Sequence, residues 1–246
     1  MYKHFFKRLI DILLSGVALF ILSPVLLLVA ILVRVKLGSP VIFKQERPGY
    51  KGKIFRMYKF RTMIDPQTRD GRKLTDKERL ECIEKGIDIL TDEERLPKIG
   101  RVLRSTSLDE LPELVNILVG DMSIIGPRPQ LVRDMVFMSD EQRMRHTAKP
   151  GLSGLAQVKG RNAITWEEKL NWDLKYIENV SFWNDIKIVF LTIKTAFIKA
   201  EGITDGENAT ALDYGDALLK EDKVSKEKYD VLQAEACNII TKIQKR

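Results

Sequence analysis

From Ile12 to Val33 the chain carries an almost unbroken apolar run of 22 residues. A straight helix of that length, at ~1.5 Å per residue, reaches ~33 Å. That would just cross a hydrocarbon core of ~30 Å, so length alone predicts a spanning helix. Two features favour another path. Ser23-Pro24 interrupts the run near its middle, where proline removes a backbone hydrogen bond and bends a helix. Basic residues flank both ends: Lys3, Lys7 and Arg8 before the run, Arg34 and Lys36 after it. Such residues stay on the cytoplasmic side, which places both ends there. The run is therefore read as a re-entrant hairpin broken at Ser23 and Pro24. It is too long for a cleaved signal peptide and lacks a clean small-residue cleavage site.

Beyond the run the pattern changes. Val41 to Met63 alternates short β-like runs around a Pro48-Gly49 turn, studded with basic residues. Residues 64–97 are charged and poor in aromatics, with a solvated helix over Lys77–Lys85 that sets Leu80 and Ile83 on one side. Leu114, Ile117 and Leu118 give one apolar face to a short helix that starts at Pro112 and ends at Gly120. Gln130 to Lys149 is helix-like, and Met135, Met138 and Met144 read as core or interface filler. Two helices follow, Trp166 to Glu178 and Phe182 to Ala200, with Ser181 as the N-cap between them. In the second, Phe182, Trp183, Ile186, Val189, Phe190, Ile193 and Phe197 keep helical spacing and oppose lysines at 187, 194 and 199. That fits a core helix or a membrane-surface helix. After Gly202 the chain turns polar, and Val231-Leu232, Ile239-Ile240 and Ile243 line a weakly amphipathic terminal helix, open to a homodimer contact, a membrane contact or neither. The expected class is α+β: a re-entrant membrane hairpin plus a small, mostly helical domain with a minor β-hairpin, without the βα alternation of a doubly wound sheet.

Charge narrows the partners. Forty-one Lys and Arg against 34 Asp and Glu leave a net charge of +7, which suits nucleic acid, acidic lipid or phosphorylated substrates without choosing among them. A chain of 246 residues buries one good core. Cys82 and Cys237 are far apart and in no metal or redox motif, which fits a reducing compartment. His4 and His146 are too few for a metal cluster and read as surface residues.

The chemistry concentrates between Arg104 and Pro129, RSTSLDELPELVNILVGDMSIIGPRP. Asp109 and Glu110 stand just ahead of the short helix. A capping box formed by Ser107 and Glu110 would explain the glutamate alone. Asp109 beside Glu110 also supplies a carboxylate nucleophile and a hard oxygen ligand for Mg²⁺. Arg104 and Arg128 add planar, bidentate phosphate donors. Lys59 and Arg61 belong to a solvated basic hairpin, to a patch resting on anionic lipid, or to a site for substrate phosphates. Glycines 151, 154 and 160 in PGLSGLAQVKGRN match neither a Walker nor a Rossmann pattern and read as a tight scaffold, with Gln157 and Arg161 as nucleotide contacts.

SLDELPELVNILVGDMSIIGPRP resembles the signature of the bacterial sugar transferases called monotopic phosphoglycosyl transferases. Further matches are Gln45-x-Arg47-Pro48-Gly49, Tyr58-Lys59-Phe60-Arg61-Thr62-Met63, Pro150 to Val158 and Gly160-Arg161-Asn162. The resemblance runs to about Thr210 and is greatest to short enzymes that begin N-linked glycan assembly with a bacillosamine phosphate. It implies a re-entrant anchor over 1–38, a catalytic domain over 39–203 in which the charged residues 64–97 are an insertion without a catalytic role, and a C-terminal extension over 204–246. It also implies Asp109 as the nucleophile that takes a phosphosugar from a UDP-sugar, Glu110 as the Mg²⁺ ligand and Lys59 near the phosphates. Undecaprenyl phosphate would be the acceptor, at the cytoplasmic face of the bacterial inner membrane, with no nucleic acid involved. The first donor it suggests is UDP-N,N'-diacetylbacillosamine. The competing reading is a non-enzymatic basic adaptor anchored on acidic lipid.

Overall fold

The apolar run folds as two helices rather than one. The computed structural model describes residues 2–75, 78, 82, 85–160, 164–198 and 212–244. Helix α1 (Lys7–Ile21) and helix α2 (Ser23–Leu37) each have 15 residues and are bent by 63° at their junction. At ~1.5 Å per residue each is ~22 Å long. Among the described residues no single helix is long and apolar enough to cross a membrane. The break falls at Leu22, one residue earlier than expected. Pro24 sits in the first turn of α2, where its missing N–H would have had no helical partner, and Gly38 at φ +83° ends the helix.

By Cα packing the chain divides into two compact units: Met1–Leu19, Lys44–Met57 and Glu113–Arg246 form the larger; Phe20–Phe43 and Tyr58–Pro112 form the smaller. Strands β1 (Ile42–Pro48) and β2 (Ile54–Phe60) pair as the expected hairpin. In the smaller unit Val29 and Val33 of α2 meet Phe60 and Leu103, with Leu26, Ile99 and Leu108 packed around them. Leu103 belongs to α3 (Lys98–Ser105). That helix lies against the chain after β2 so closely that a Cβ on Gly100 would stand 1.9 Å from the Thr62 carbonyl oxygen. Residues 64–97 form two isolated antiparallel bridges, Gln67 with Lys73 and Thr68 with Ile89, over buried Leu74 and Cys82. Most of the helix expected over Lys77–Lys85, Leu80 and Ile83 included, lies outside the described residues.

In the larger unit helix α4 (Glu113–Val119) buries Leu114 and Ile117 and stops at Gly120, whose φ is +102°. Strands β3 (Ser123–Ile125) and β4 (Gly151–Ser153) then pair in parallel. Their glycines explain the glycine-rich motif: a Cβ on Gly126 would come 2.3 Å from the Lys149 carbonyl oxygen, and one on Gly154 2.1 Å from that of Gly126. Two short helices, α5 (Val132–Met135) and α6 (Asp140–Arg143), and a 3₁₀ turn, Met144–Thr147, replace the single Met-rich segment expected there. Met138 is buried, but Met144 is exposed and fills no core, because the capping box at Ser139 opens a new helix and re-aims the chain. After α7 (Leu155–Lys159) come α8 (Trp166–Glu178) and α9 (Phe182–Ile198), with Ser181 accepting from the Asn184 amide at 3.3 Å as expected of a cap. Tyr176 and Ile188 pack on Ile125, while Trp183 (77% exposed) and Phe190 face outward. The tail forms α10 (Tyr214–Lys220) and α11 (Lys226–Gln244). Ala236, Leu232, Ile239 and Ile240 of α11 pack on Val132 and Val136.

Candidate active site

A single 3₁₀ turn, Leu108–Glu110, presents the two carboxylates directly after α3. Ser107 reverses the chain there in the left-handed region, φ 56°, a conformation that few residues with a side chain hold without support. Its hydroxyl caps nothing, so the capping box is not what fixes Glu110. Glu110 is held instead by Lys59, whose Nζ donates to Oε1 at 2.7 Å.

Asp109 is 8% exposed, and among the described residues no other side chain hydrogen-bonds its carboxylate. Burial lifts its pKa above the usual range; Lys59 opposes that, Glu110 adds to it and Arg104 opposes it. A buried carboxylate without a tight partner destabilises a fold, which makes Asp109 a candidate functional position. Arg104 is exposed, and its Nε donates to Thr62 Oγ1 at 3.1 Å, which ties the guanidinium to the chain after β2. Thr62 is the residue that sequence reasoning missed. It lies inside the Tyr58–Met63 motif, where the charges and the family pattern point to Lys59 and Arg61 instead.

Asp109, Glu110, Lys59 and Arg104 therefore come together within one unit. Arg61 shares the unit but acts as a strut. Buried, it donates to the Met63 carbonyl (2.8 Å), the Ser39 carbonyl (2.8 Å) and Asp65 (2.7 Å). Arg128 and Gln157 belong to the larger unit. The turn carrying exposed Arg128 is braced twice: Arg47 donates to the Pro129 carbonyl at 3.3 Å, and Arg145 to that of Arg128 at 2.6 Å. Arg145 is itself buried against Asp173 at 2.5 Å. Two separated motifs, at Arg47 and at Arg128, thus form one scaffold. Gln157 donates to the Leu152 carbonyl at 2.9 Å, within that scaffold. Arg161 lies outside the described residues, as does the side chain of His4. His146 is not a surface residue: it is buried in the Met144–Thr147 turn, where burial, then Arg145 and Arg143, lower its pKa to about 3.

Among the described residues no three acidic, His or Cys side chains converge as a metal site. Mg²⁺ does not need such a set, since it commonly takes one or two carboxylates and completes its shell with substrate phosphates and water. Glu110, with Asp109 beside it in the same turn, fits that donor chemistry.

Residues 2–199 match the family described as bacterial sugar transferase. The chain belongs to that family. It is 43% identical over 205 residues to the uncharacterized sugar transferase EpsL of Bacillus subtilis (strain 168), a match covering 83% of this chain and 93% of that protein. It is 39% identical over 201 residues to a UDP-glucose:undecaprenyl-phosphate glucose-1-phosphate transferase of Klebsiella pneumoniae, covering 78% of this chain. It is 38% identical over 193 residues to an undecaprenyl-phosphate galactose phosphotransferase of Salmonella typhimurium, again covering 78% of this chain. The chain spans only 40% of the length of each of these last two relatives.

Proposed function

We propose that this sugar transferase moves a sugar-1-phosphate from a UDP-sugar to undecaprenyl phosphate and releases UMP, with Asp109 as the nucleophile. The observation that carries this reading is the buried Asp109 carboxylate, with its pKa raised, between Lys59-held Glu110 and Thr62-anchored Arg104. A basic adaptor on acidic lipid would have no use for a buried carboxylate in that setting. An Asp109 oxygen attacks the β-phosphorus; the new O–P bond forms as the bond to the bridging oxygen breaks, and UMP leaves with that electron pair. A phosphate oxygen of undecaprenyl phosphate then attacks the same phosphorus and frees the carboxylate, giving the diphosphate-linked sugar. Arg104 orients the phosphates through its fixed guanidinium, and Lys59 lowers the Asp109 pKa toward the ionised form. Glu110 would hold Mg²⁺, which supplies charge neutralisation on the donor diphosphate. Arg128 is the further phosphate contact proposed, on its braced turn.

A polyprenol carrier stays in the bilayer, so the nucleophile must work at the headgroup plane. We assign the α1–α2 pair as the anchor, entering the inner membrane from the cytoplasmic face. Its outward apolar side chains, Phe20 (83% exposed), Ile21, Leu27 and Leu28, support this, as does the outer face of α9. For the donor we keep UDP-N,N'-diacetylbacillosamine as the first candidate and add UDP-glucose and UDP-galactose on the names of the relatives. The test is UMP release by the purified chain in detergent with Mg²⁺, undecaprenyl phosphate and each donor singly. Release with one donor, abolished by Asp109→Asn, is expected. Release that survives Asp109→Asn would remove the aspartyl intermediate.

A further inference from the structure

The larger unit contains an open-sided cavity of about 350 Å³ lined by Lys51, Gly52, Met135, Arg143, His146 and Thr147. Its walls are the 3₁₀ turn Tyr50–Gly52, α5 with the end of α6, and the turn Met144–Thr147. Nothing in the chemistry assigned to Asp109 uses any of these residues. The cavity is charged: among the described residues neither Lys51 nor Arg143 pairs with a carboxylate. Lys51 Nζ lies 5.4 Å from the centre of the Tyr50 ring, and Arg143 commits one Nη to the Val136 carbonyl at 3.3 Å. The third polar group is unusual. His146 is more than nine-tenths buried, and its Nε2 has no hydrogen-bond partner. The ring bonds the backbone of Gly49 through its other nitrogen, and the low pKa keeps it neutral. With the proton on that nitrogen, Nε2 is a buried acceptor waiting for a donor.

Two unpaired cations beside one lone acceptor specify a ligand with an anion at one end and a hydrogen-bond donor at the other. Guanidinium and ammonium together suit a phosphate, and Nε2 suits a hydroxyl. The volume, at the small end of the ~300–1,000 Å³ range of ligand pockets, admits one ring and its phosphate, with Met135 as an adaptable apolar wall. We propose that this cavity binds a small phosphate ester on a hydroxylated ring, a nucleoside monophosphate or a hexose phosphate, with Lys51 and Arg143 holding the phosphate and His146 Nε2 accepting from a ring hydroxyl.

The chain has two histidines, so full-length protein labelled with ¹⁵N-histidine and held in a phosphate-free detergent gives two imidazoles to follow, and His4→Gln assigns them. UMP, glucose 1-phosphate and orthophosphate are titrated separately. The His146 Nε2 resonance is expected to shift saturably with at least one of the two esters, and orthophosphate to bind more weakly. In a Lys51→Ala/Arg143→Ala double variant, whose changes fall on exposed side chains, the affinity should drop roughly tenfold or more, as expected for losing charged hydrogen bonds. Asp109→Asn should leave the titration unchanged, which separates this site from the one carrying the transfer reaction. No shift at millimolar ester would overturn the proposal. So would a shift that survives the double variant, or orthophosphate binding as tightly as the esters. The UMP-release assay is independent of each of these results.

Discussion

At Asp109, desolvation raises the carboxyl group, and Lys59 is the largest opposing influence. The sign of the consequence follows. A folded pKa above the unfolded value contributes stability only at low pH and loses it as pH rises, so at neutral pH the ionised group is a cost to the fold. Asp109→Asn therefore removes the proposed nucleophile without removing a stabilising contact. Only the carboxylate attacks phosphorus, so kcat/KM for UMP release should fall as pH drops through the raised pKa, giving an acid limb above the ~3.9 of an ordinary aspartate. Lys59→Met deletes the main lowering influence and should move that limb to still higher pH. A pH–rate profile of the two proteins checks this; a limb that stays in place would show that the Lys59 charge does not act on Asp109. Much of this was legible, because adjacent carboxylates and nearby arginines stand in the sequence. The assignment of Arg61 to phosphate was not: whether its fork meets substrate or the carbonyls of Ser39 and Met63 depends on where those carbonyls fall.

Among the elements, α3 sets the site. It ends at Ser105, two residues before the left-handed Ser107 that turns the chain into Asp109, and Arg104 leaves its last turn toward Thr62. The close approach at Gly100 fixes its position. Gly100→Ala would put a methyl group 1.9 Å from the Thr62 carbonyl oxygen, so α3 or the chain after β2 must shift. Overpacking against backbone costs about 3 kcal/mol, and the melting temperature should fall by roughly 5–10 °C. UMP release should drop with it, because the Arg104–Thr62 contact moves. Thermal unfolding beside Val102→Ala, an exposed position on the same helix, is the check; equal melting temperatures would show that α3 is not held this tightly. Helix existence was readable from periodicity and caps, as α8 and α9 show. Segmentation was not readable between Gln130 and Lys149, since three methionines at loose helical spacing say little about which of them face a core.

At the scale of the whole molecule, the membrane anchor we propose rests on the α1–α2 pair. Each helix, at ~22 Å, is shorter than a ~30 Å hydrocarbon core, and the bend stands between them. The anchor we propose dips in and returns, so tags fused to either terminus of the chain should resist protease added to intact cells. Cleavage of the N-terminal tag alone would establish a spanning segment instead. The tail shows the other side of the same scale. Its apolar residues were visible as a weak stripe, but their partners, Val132 of α5 and Val136 just after it, lie about a hundred positions away in the sequence. What the sequence by itself determined was local: an apolar run interrupted by proline, a basic hairpin, capped helices, a carboxylate pair, and the motifs that place the chain in its family. Those signals act within a few residues and survive without a fold. What only the tertiary structure decided was which of those groups are buried and which meet. Lys59 reaches Glu110 across 51 positions, Asp109 loses its water, and His146 goes inside with one nitrogen unmatched. Burial and long-range pairing depend on how faces dock, and no local pattern encodes that.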